Sequence, residues 1–132
     1  MLKPWMELQP MASRGRTALL GDWAEQRALR LLRTRGWVLL SRQWRCRWGE
    51  LDLVVAKGER LLLVEVKGRG RPGPDGWGRA ALGRAKRLRL ERAWSCWLVE
   101  HPGWANATAE LVFALVPLPP SRRPVRWIRA WP

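Results

Sequence analysis

The sequence is poor in the residues that most acid–base and nucleophilic enzymes rely on. Its 132 residues include one histidine, two cysteines, one phenylalanine and no tyrosine. His101 stands directly before Pro102-Gly103, in a turn, which is a poor place for a catalytic base. That excludes hydrolases built on a well-placed histidine. Cys46 and Cys96 have no CxxC partners, and a structural zinc site needs about four soft ligands, so zinc is excluded as well. Two cysteines are too few for a disulfide framework and read as buried or half-exposed thiols in a reducing cytosol. No apolar run approaches the roughly 18 to 20 residues needed to span a bilayer. The opening segment MLKPWMELQPMASRGR has no apolar core and does not read as a secretory signal. Both points set the expectation of a cytoplasmic protein with no membrane partner.

Negative charge is the other scarcity. Eleven acidic residues face 25 basic ones, for a formal charge of +14 and an isoelectric point near 11.7. Such a chain attracts polyanions, nucleic acid first and an anionic membrane surface as the alternative. Arginine outnumbers lysine 21 to 4, and tryptophan occurs 11 times. Both biases fit a GC-rich coding sequence, so the tryptophans are not read as a base-stacking platform. The length suits one domain with one core.

Periodicity divides the chain into three parts. Residues 1–13 form a loosely ordered leader, 14–116 a single domain, and 117–132 a basic, proline-rich tail. From Arg14 to about Arg35, Leu20, Ala24, Ala28, Leu31 and Leu32 recur at three- and four-residue spacing, which predicts a helix ended by Gly36. A strand-like stretch, Trp37 to Cys46, follows. Leu51–Ala56 and Arg60–Val66 flank Lys57-Gly58-Glu59 and read as a β-hairpin. Gly68 to Gly78, with five glycines and two prolines, predicts a mobile loop. A second helix is expected from Arg79 to about Leu98, with Leu82, Ala85, Leu88, Trp94 and Trp97 apolar and Arg84, Lys86, Arg87, Arg89 and Arg92 exposed. Glu110–Val116 is a further strand. The order predicts an α/β fold, a mixed sheet of about four or five strands flanked by helices.

The hairpin carries carboxylates where a purely structural strand would not. If Gly58-Glu59 is a two-residue turn, Lys57 faces Arg60, Asp52 falls opposite Glu65, and Glu50 opposite Lys67. A three-residue loop shifts this by one. Two like charges facing each other at the mouth of an apolar sheet destabilise it unless something positive lies between them. A divalent cation held by hard oxygen ligands meets that need, with Lys67 as an additional charge. The competing reading has Asp52 and Glu65 exposed and bonded to some of the many arginines.

GDWAEQRALRLLRTRGW from Gly21, WGELDLV from Trp48, LLVEVKGR from Leu62, the later Lys86 and the closing WIRAW together resemble the YraN-type family of small bacterial proteins. More distantly they resemble the PD-(D/E)xK nuclease superfamily, with its restriction-endonuclease-like fold. The resemblance implies a metal-dependent endonuclease acting on nucleic acid, DNA before RNA, with a Mg²⁺ or Mn²⁺ cofactor; the lack of a sequence-reading element such as a helix-turn-helix sets the expectation that it recognises structure or single strands rather than a base sequence. It implies Asp52 and Glu65 as metal ligands, Lys67 as the lysine of the motif, and Glu25 as the first-helix glutamate that could complete the metal shell. Glu50 matches the acidic residue just before the aspartate. Arg84, Lys86 and Arg87 are candidates for phosphate contact. The chain departs from the family pattern in its loose Gly68–Gly78 loop and in Ala109-Glu110-Leu111, where an Arg-Phe-Asp-like start is usual. A non-catalytic nucleic-acid-binding protein on the same fold is the alternative, and a basic protein docking on ribosomes a weaker one.

Overall fold

The computed structural model describes residues 15–69 and 83–131. The leader, and Gly70–Leu82 of the predicted loop and second helix, lie outside the described residues. The elements are α1 (Arg16–Thr34), β1 (Val38–Cys46), β2 (Gly49–Lys57), β3 (Arg60–Arg69), α2 (Arg84–Glu100), a 3₁₀ turn (Pro102–Trp104), β4 (Thr108–Pro117) and β5 (Arg126–Trp131). They make a single five-stranded sheet in the order β1-β2-β3-β4-β5. β3 and β4 run parallel, joined through α2, and every other neighbouring pair is antiparallel. This is the mixed α/β sheet that the element order predicts.

Each helix covers one face. Ala24, Ala28, Leu29 and Leu32 of α1 pack on Leu53, Val55, Leu62, Val64, Val112, Ala114 and Val116. Leu90, Ala93, Trp94 and Trp97 of α2 pack on Leu51, Val54, Ala56, Leu61, Leu63, Leu111 and Phe113. Alternation along β2, β3 and β4 therefore feeds two cores, which explains their near-continuous apolar sequence. Helix α1 ends as its glycine demands. Gly36 has φ 90°, and the Gly36 and Trp37 N–H groups bond the Arg33 and Leu32 carbonyls, a Schellman closure. A Cβ on Gly68 would lie 2.9 Å from Leu118 Cδ2 and 3.4 Å from Ala24 Cβ, so a glycine there lets α1 approach the sheet.

Three features differ from the sequence reading. Gly68 and Arg69 extend β3 instead of opening the loop. On α2, Leu88 is 44% exposed while Leu90 is buried, which turns the buried stripe relative to the one expected. The second half of the presumed tail is β5, paired along β4 from Leu111↔Trp131 to Leu115↔Arg126.

Strands β1 and β2 also turn over in mid-course. Arg42 reaches Glu25 on α1, whereas Trp44, two residues on, packs on the α2 side. Residues two apart share a face in a regular strand. Gln43 lies between them with φ 51°, and that left-handed residue flips the strand. Their partners follow suit, Leu53 in the α1 core and Leu51 in the α2 core. Between Leu51 and Leu53 lies Asp52.

Candidate functional site

The β2–β3 ladder runs from Lys57↔Arg60 to Leu53↔Val64 and ends there. Its first rung is the one that a two-residue Gly58-Glu59 turn requires, and continuing the count sets Asp52 against Glu65. At that point side chains take over from the backbone. The Asp52 N–H donates to Glu65 Oε2 at 3.0 Å, and the Val66 N–H donates to Asp52 Oδ2 at 2.8 Å. The parted strand ends open a cleft of about 400 Å³ lined by Trp48, Gly49, Glu50, Asp52, Glu65, Val66, Lys67, Lys86, Arg89, Leu90 and Ala93.

The electrostatics of the cleft are dominated by burial. Loss of solvent pushes the Asp52 carboxyl up to about 6, assisted by the charges of Glu25 and Glu50 and opposed by the Val66 N–H and Lys86. Burial pushes Glu65 up to about 8, with the Asp52 charge as the next cause, opposed by the Asp52 N–H and Lys86. Lys67 is lowered by desolvation and then by Arg69 and Lys86. The cation that acts on both carboxylates is thus Lys86, 19 residues beyond the motif lysine and carried in by α2.

The other candidates take different positions. Glu50 lines the cleft and accepts Arg45 Nε at 3.1 Å. Glu25 is buried, 6% exposed, and accepts Arg42 Nε at 2.7 Å, with Gln43 Nε2 3.5 Å from its other oxygen. Among the described residues it is not part of the cleft lining, and its charge reaches Asp52 from the α1 side. Arg84 and Arg87 line a separate groove with Leu88 and Glu91, and Arg87 Nη2 donates to the Ala130 carbonyl at 2.8 Å, tying α2 to β5. Of the three basic residues expected to meet phosphate, the structure brings only Lys86 to the carboxylates. It adds Arg89, which the three-residue spacing from Lys86 could have flagged, and Trp48. Glu110 bonds Arg60 at 2.8 Å and Arg129 at 3.0 Å, joining β3, β4 and β5 away from the cleft.

The pair Asp52 and Glu65 suits a hard divalent cation. Both are carboxylates, and Asp52 Oδ1 and Glu65 Oε1 take no part in the two backbone bonds. Among the described residues no three His, Cys, Asp or Glu side chains converge on one point. Mg²⁺ does not require such a cage, because it is commonly held by one or two carboxylates with water and substrate phosphate completing the octahedron. Among the described residues no arginine bonds Asp52 or Glu65, so their arginine-paired reading finds no support.

Comparison with known proteins places the chain in a family. The profile described as "Uncharacterised protein family UPF0102" matches residues 24–117. The chain belongs to the UPF0102 family. A UPF0102 protein of Prochlorococcus marinus (strain MIT 9303) is 59% identical over 109 residues, 83% of this chain and 86% of its own. One from Synechococcus sp. (strain CC9902) is 51% identical over 108 residues, 82% of this chain and 89% of its own. One from Halorhodospira halophila (strain DSM 244 / SL1) is 43% identical over 99 residues, 75% and 81%. The YraN-type resemblance and UPF0102 membership are one and the same. The UPF0102 match spans Glu25, Asp52, Glu65, Lys67 and Lys86 and stops at the end of β4, before β5. No described helix of this UPF0102 chain is long and apolar enough to cross a membrane.

Proposed function

We propose that this UPF0102 chain is a cytoplasmic, metal-dependent nuclease of PD-(D/E)xK type that hydrolyses phosphodiester bonds of nucleic acid, structure-selective DNA in particular. One observation carries the reading. Two carboxylates, buried Glu65 and half-buried Asp52, line one cleft with their pKa values driven up, on a chain of charge +14. A bound Mg²⁺ or Mn²⁺ would acidify water and shield the phosphate. Asp52 and Glu65 are the side chains that would hold it. Lys67, in the same cleft and with its ammonium made easier to deprotonate by burial, is suited to stabilise charge as it develops on the phosphate or to exchange a proton with the attacking water. Lys86 offsets the pair's negative charge and approaches the substrate backbone. Glu25, held by Arg42, serves as a fixed negative charge behind Asp52.

The test is Mg²⁺- or Mn²⁺-dependent cleavage of branched, flapped and single-stranded DNA, with Asp52→Asn as control. Cleavage lost in the variant is the expected result. No cleavage by the unaltered protein on any of these substrates with either metal overturns the proposal. A second reading, nucleic-acid binding without catalysis, draws on the same two hydrogen bonds, since the carboxylates also close the open end of the hairpin. Binding without cleavage is its signature.

A further inference from the structure

We infer that Arg47 and Arg92, both stacked on the ring of Trp48, form a clamp for the phosphate backbone of nucleic acid at the rim of the Asp52–Glu65 cleft. The inference rests on the nucleic-acid reading above and adds where and how the strand is held.

The guanidinium carbon of Arg47 lies 4.5 Å from the Trp48 ring centroid, and that of Arg92 lies 4.8 Å away. Arg47 comes from the β1–β2 turn and Arg92 from α2, so two elements deliver like charges to one ring. Trp48 itself lines the cleft. Both arginines are exposed. Among the described residues neither is paired with a carboxylate, the ion pairs there being Arg42–Glu25, Arg45–Glu50, Arg60–Glu110 and Arg129–Glu110. Of the nearby acids, Glu50 is held by Arg45 and Glu100 by Trp44 Nε1 at 3.1 Å. Two cations held on one ring with no acid paired to either repel each other, and an anion that contacts both offsets the repulsion.

Stacking gives the pair more than charge. Each cation–π contact holds the planar fork in one orientation before a ligand arrives. Ordering done in advance lowers the cost of binding. The ring's π surface is engaged by the protein's own cations, so the site grips phosphate rather than bases and reads no sequence. Lys86, Arg89 and Arg92 follow one another at three-residue spacing along one side of α2. They cover about 9 Å of helix, against about 3.4 Å of axial rise per phosphate in one strand of a duplex. The track thus spans two to three phosphates, with its Lys86 and Arg89 end at the carboxylates.

The experiment is equilibrium binding of a fluorescent 20-base-pair duplex and of a 20-nucleotide single strand to the full chain, in EDTA to exclude cleavage, over a NaCl series. The variant is Arg47→Gln/Arg92→Gln. The control is Arg30→Gln/Arg33→Gln, equal in charge change and exposed on α1, across the sheet. Each lost phosphate contact flattens the slope of log K against log salt by about 0.9 on duplex or about 0.7 on single strand. The double variant is expected to lose about 1.8 or about 1.4, with the control close to the unaltered protein. The form of DNA that shows its full loss is the one the clamp holds. A double variant with the unaltered slope on both, or a control that loses as much, overturns the clamp while leaving the nuclease reading to its own assay. No binding of either DNA by the unaltered protein overturns the nucleic-acid reading and the clamp together.

Discussion

Glu65 accepts the N–H of Asp52 at 3.0 Å, and Asp52 accepts the N–H of Val66 at 2.8 Å, one position beyond the last backbone rung of the β2–β3 ladder. The two carboxylates stand in for strand pairing at the point where the strands part. Each has one oxygen engaged in holding the hairpin and a second outside those bonds. Under the nuclease proposal, structure and chemistry are served by the same two groups.

Stability should fall as pH rises through the titration of this pair. Folding lifts Asp52 from 3.8 to about 6 and Glu65 from 4.5 to about 8. The folded protein therefore retains protons that the unfolded chain has lost. The stabilisation is full below about pH 4 and is lost as the two groups ionise through about 6 and about 8. A cation between them reverses the penalty, so added Mg²⁺ should raise the melting temperature more at about pH 8 than at about pH 5. An equal or larger effect at the lower pH would rule out the pair as the cation's seat.

Asp52→Asn and Asp52→Ala should separate. Asparagine retains an oxygen that can accept the Val66 N–H and removes the repulsion with Glu65, so in EDTA near pH 8 it should melt a few degrees above the unaltered protein. Alanine removes the repulsion but leaves the Val66 N–H without its acceptor, at a cost of about 1–3 kcal/mol. Both should lack cleavage. An alanine variant as stable as asparagine, by denaturant titration, would show that the Val66 bond carries no weight.

Arg42 keeps a buried carboxylate in balance. Its Nε lies 2.7 Å from Glu25, whose side chain is 8% exposed against 33% for Arg42. Arg42→Met should strand the Glu25 charge. Because the arginine is one-third open to solvent, the expected cost is about 2 kcal/mol, below that of a fully buried pair. Glu25→Gln combined with Arg42→Met should recover part of it. A double variant no more stable than Arg42→Met in urea would contradict the pairing.

Trp97 is the keystone of the α2 core. It is fully buried, stacks on Trp94 at 5.0 Å and on His101 at 3.9 Å, and donates Nε1–H to Ser41 Oγ at 2.9 Å. Trp97→Ala should cost about 3–5 kcal/mol. Ser41→Ala should cost about 1–2 kcal/mol, through an indole N–H left without a partner. Urea midpoints measure both, and a Ser41→Ala cost near zero would mean that water replaces the hydroxyl.

Much of the sheet was legible in the chain. Gly36 stops α1, and a two-residue turn at Gly58-Glu59 leaves only one register, so Asp52 against Glu65 follows from counting by twos. Strand β5 was hidden because five prolines surround it and because an edge strand need not show clean alternation. Its Trp127 packs toward α1 while Ile128 and Ala130 pack toward α2. The flip at Gln43 left no trace in composition, since glutamine carries no signal for a positive φ. Lys67 was visible as part of a motif. Lys86 reached the carboxylates through helix packing, so only the spacing of basic residues on α2 hinted at Arg89 beside it.

If the nuclease proposal holds, the shared duty of Asp52 and Glu65 also constrains how such a protein can change over descent. A lineage that gave up the chemistry would still need an acceptor at each position to keep the hairpin closed. Asparagine and glutamine satisfy that need; leucine or alanine does not. An amide at position 52 or 65 in a relative would then be the imprint of a retired reaction centre on an intact fold, readable without an assay.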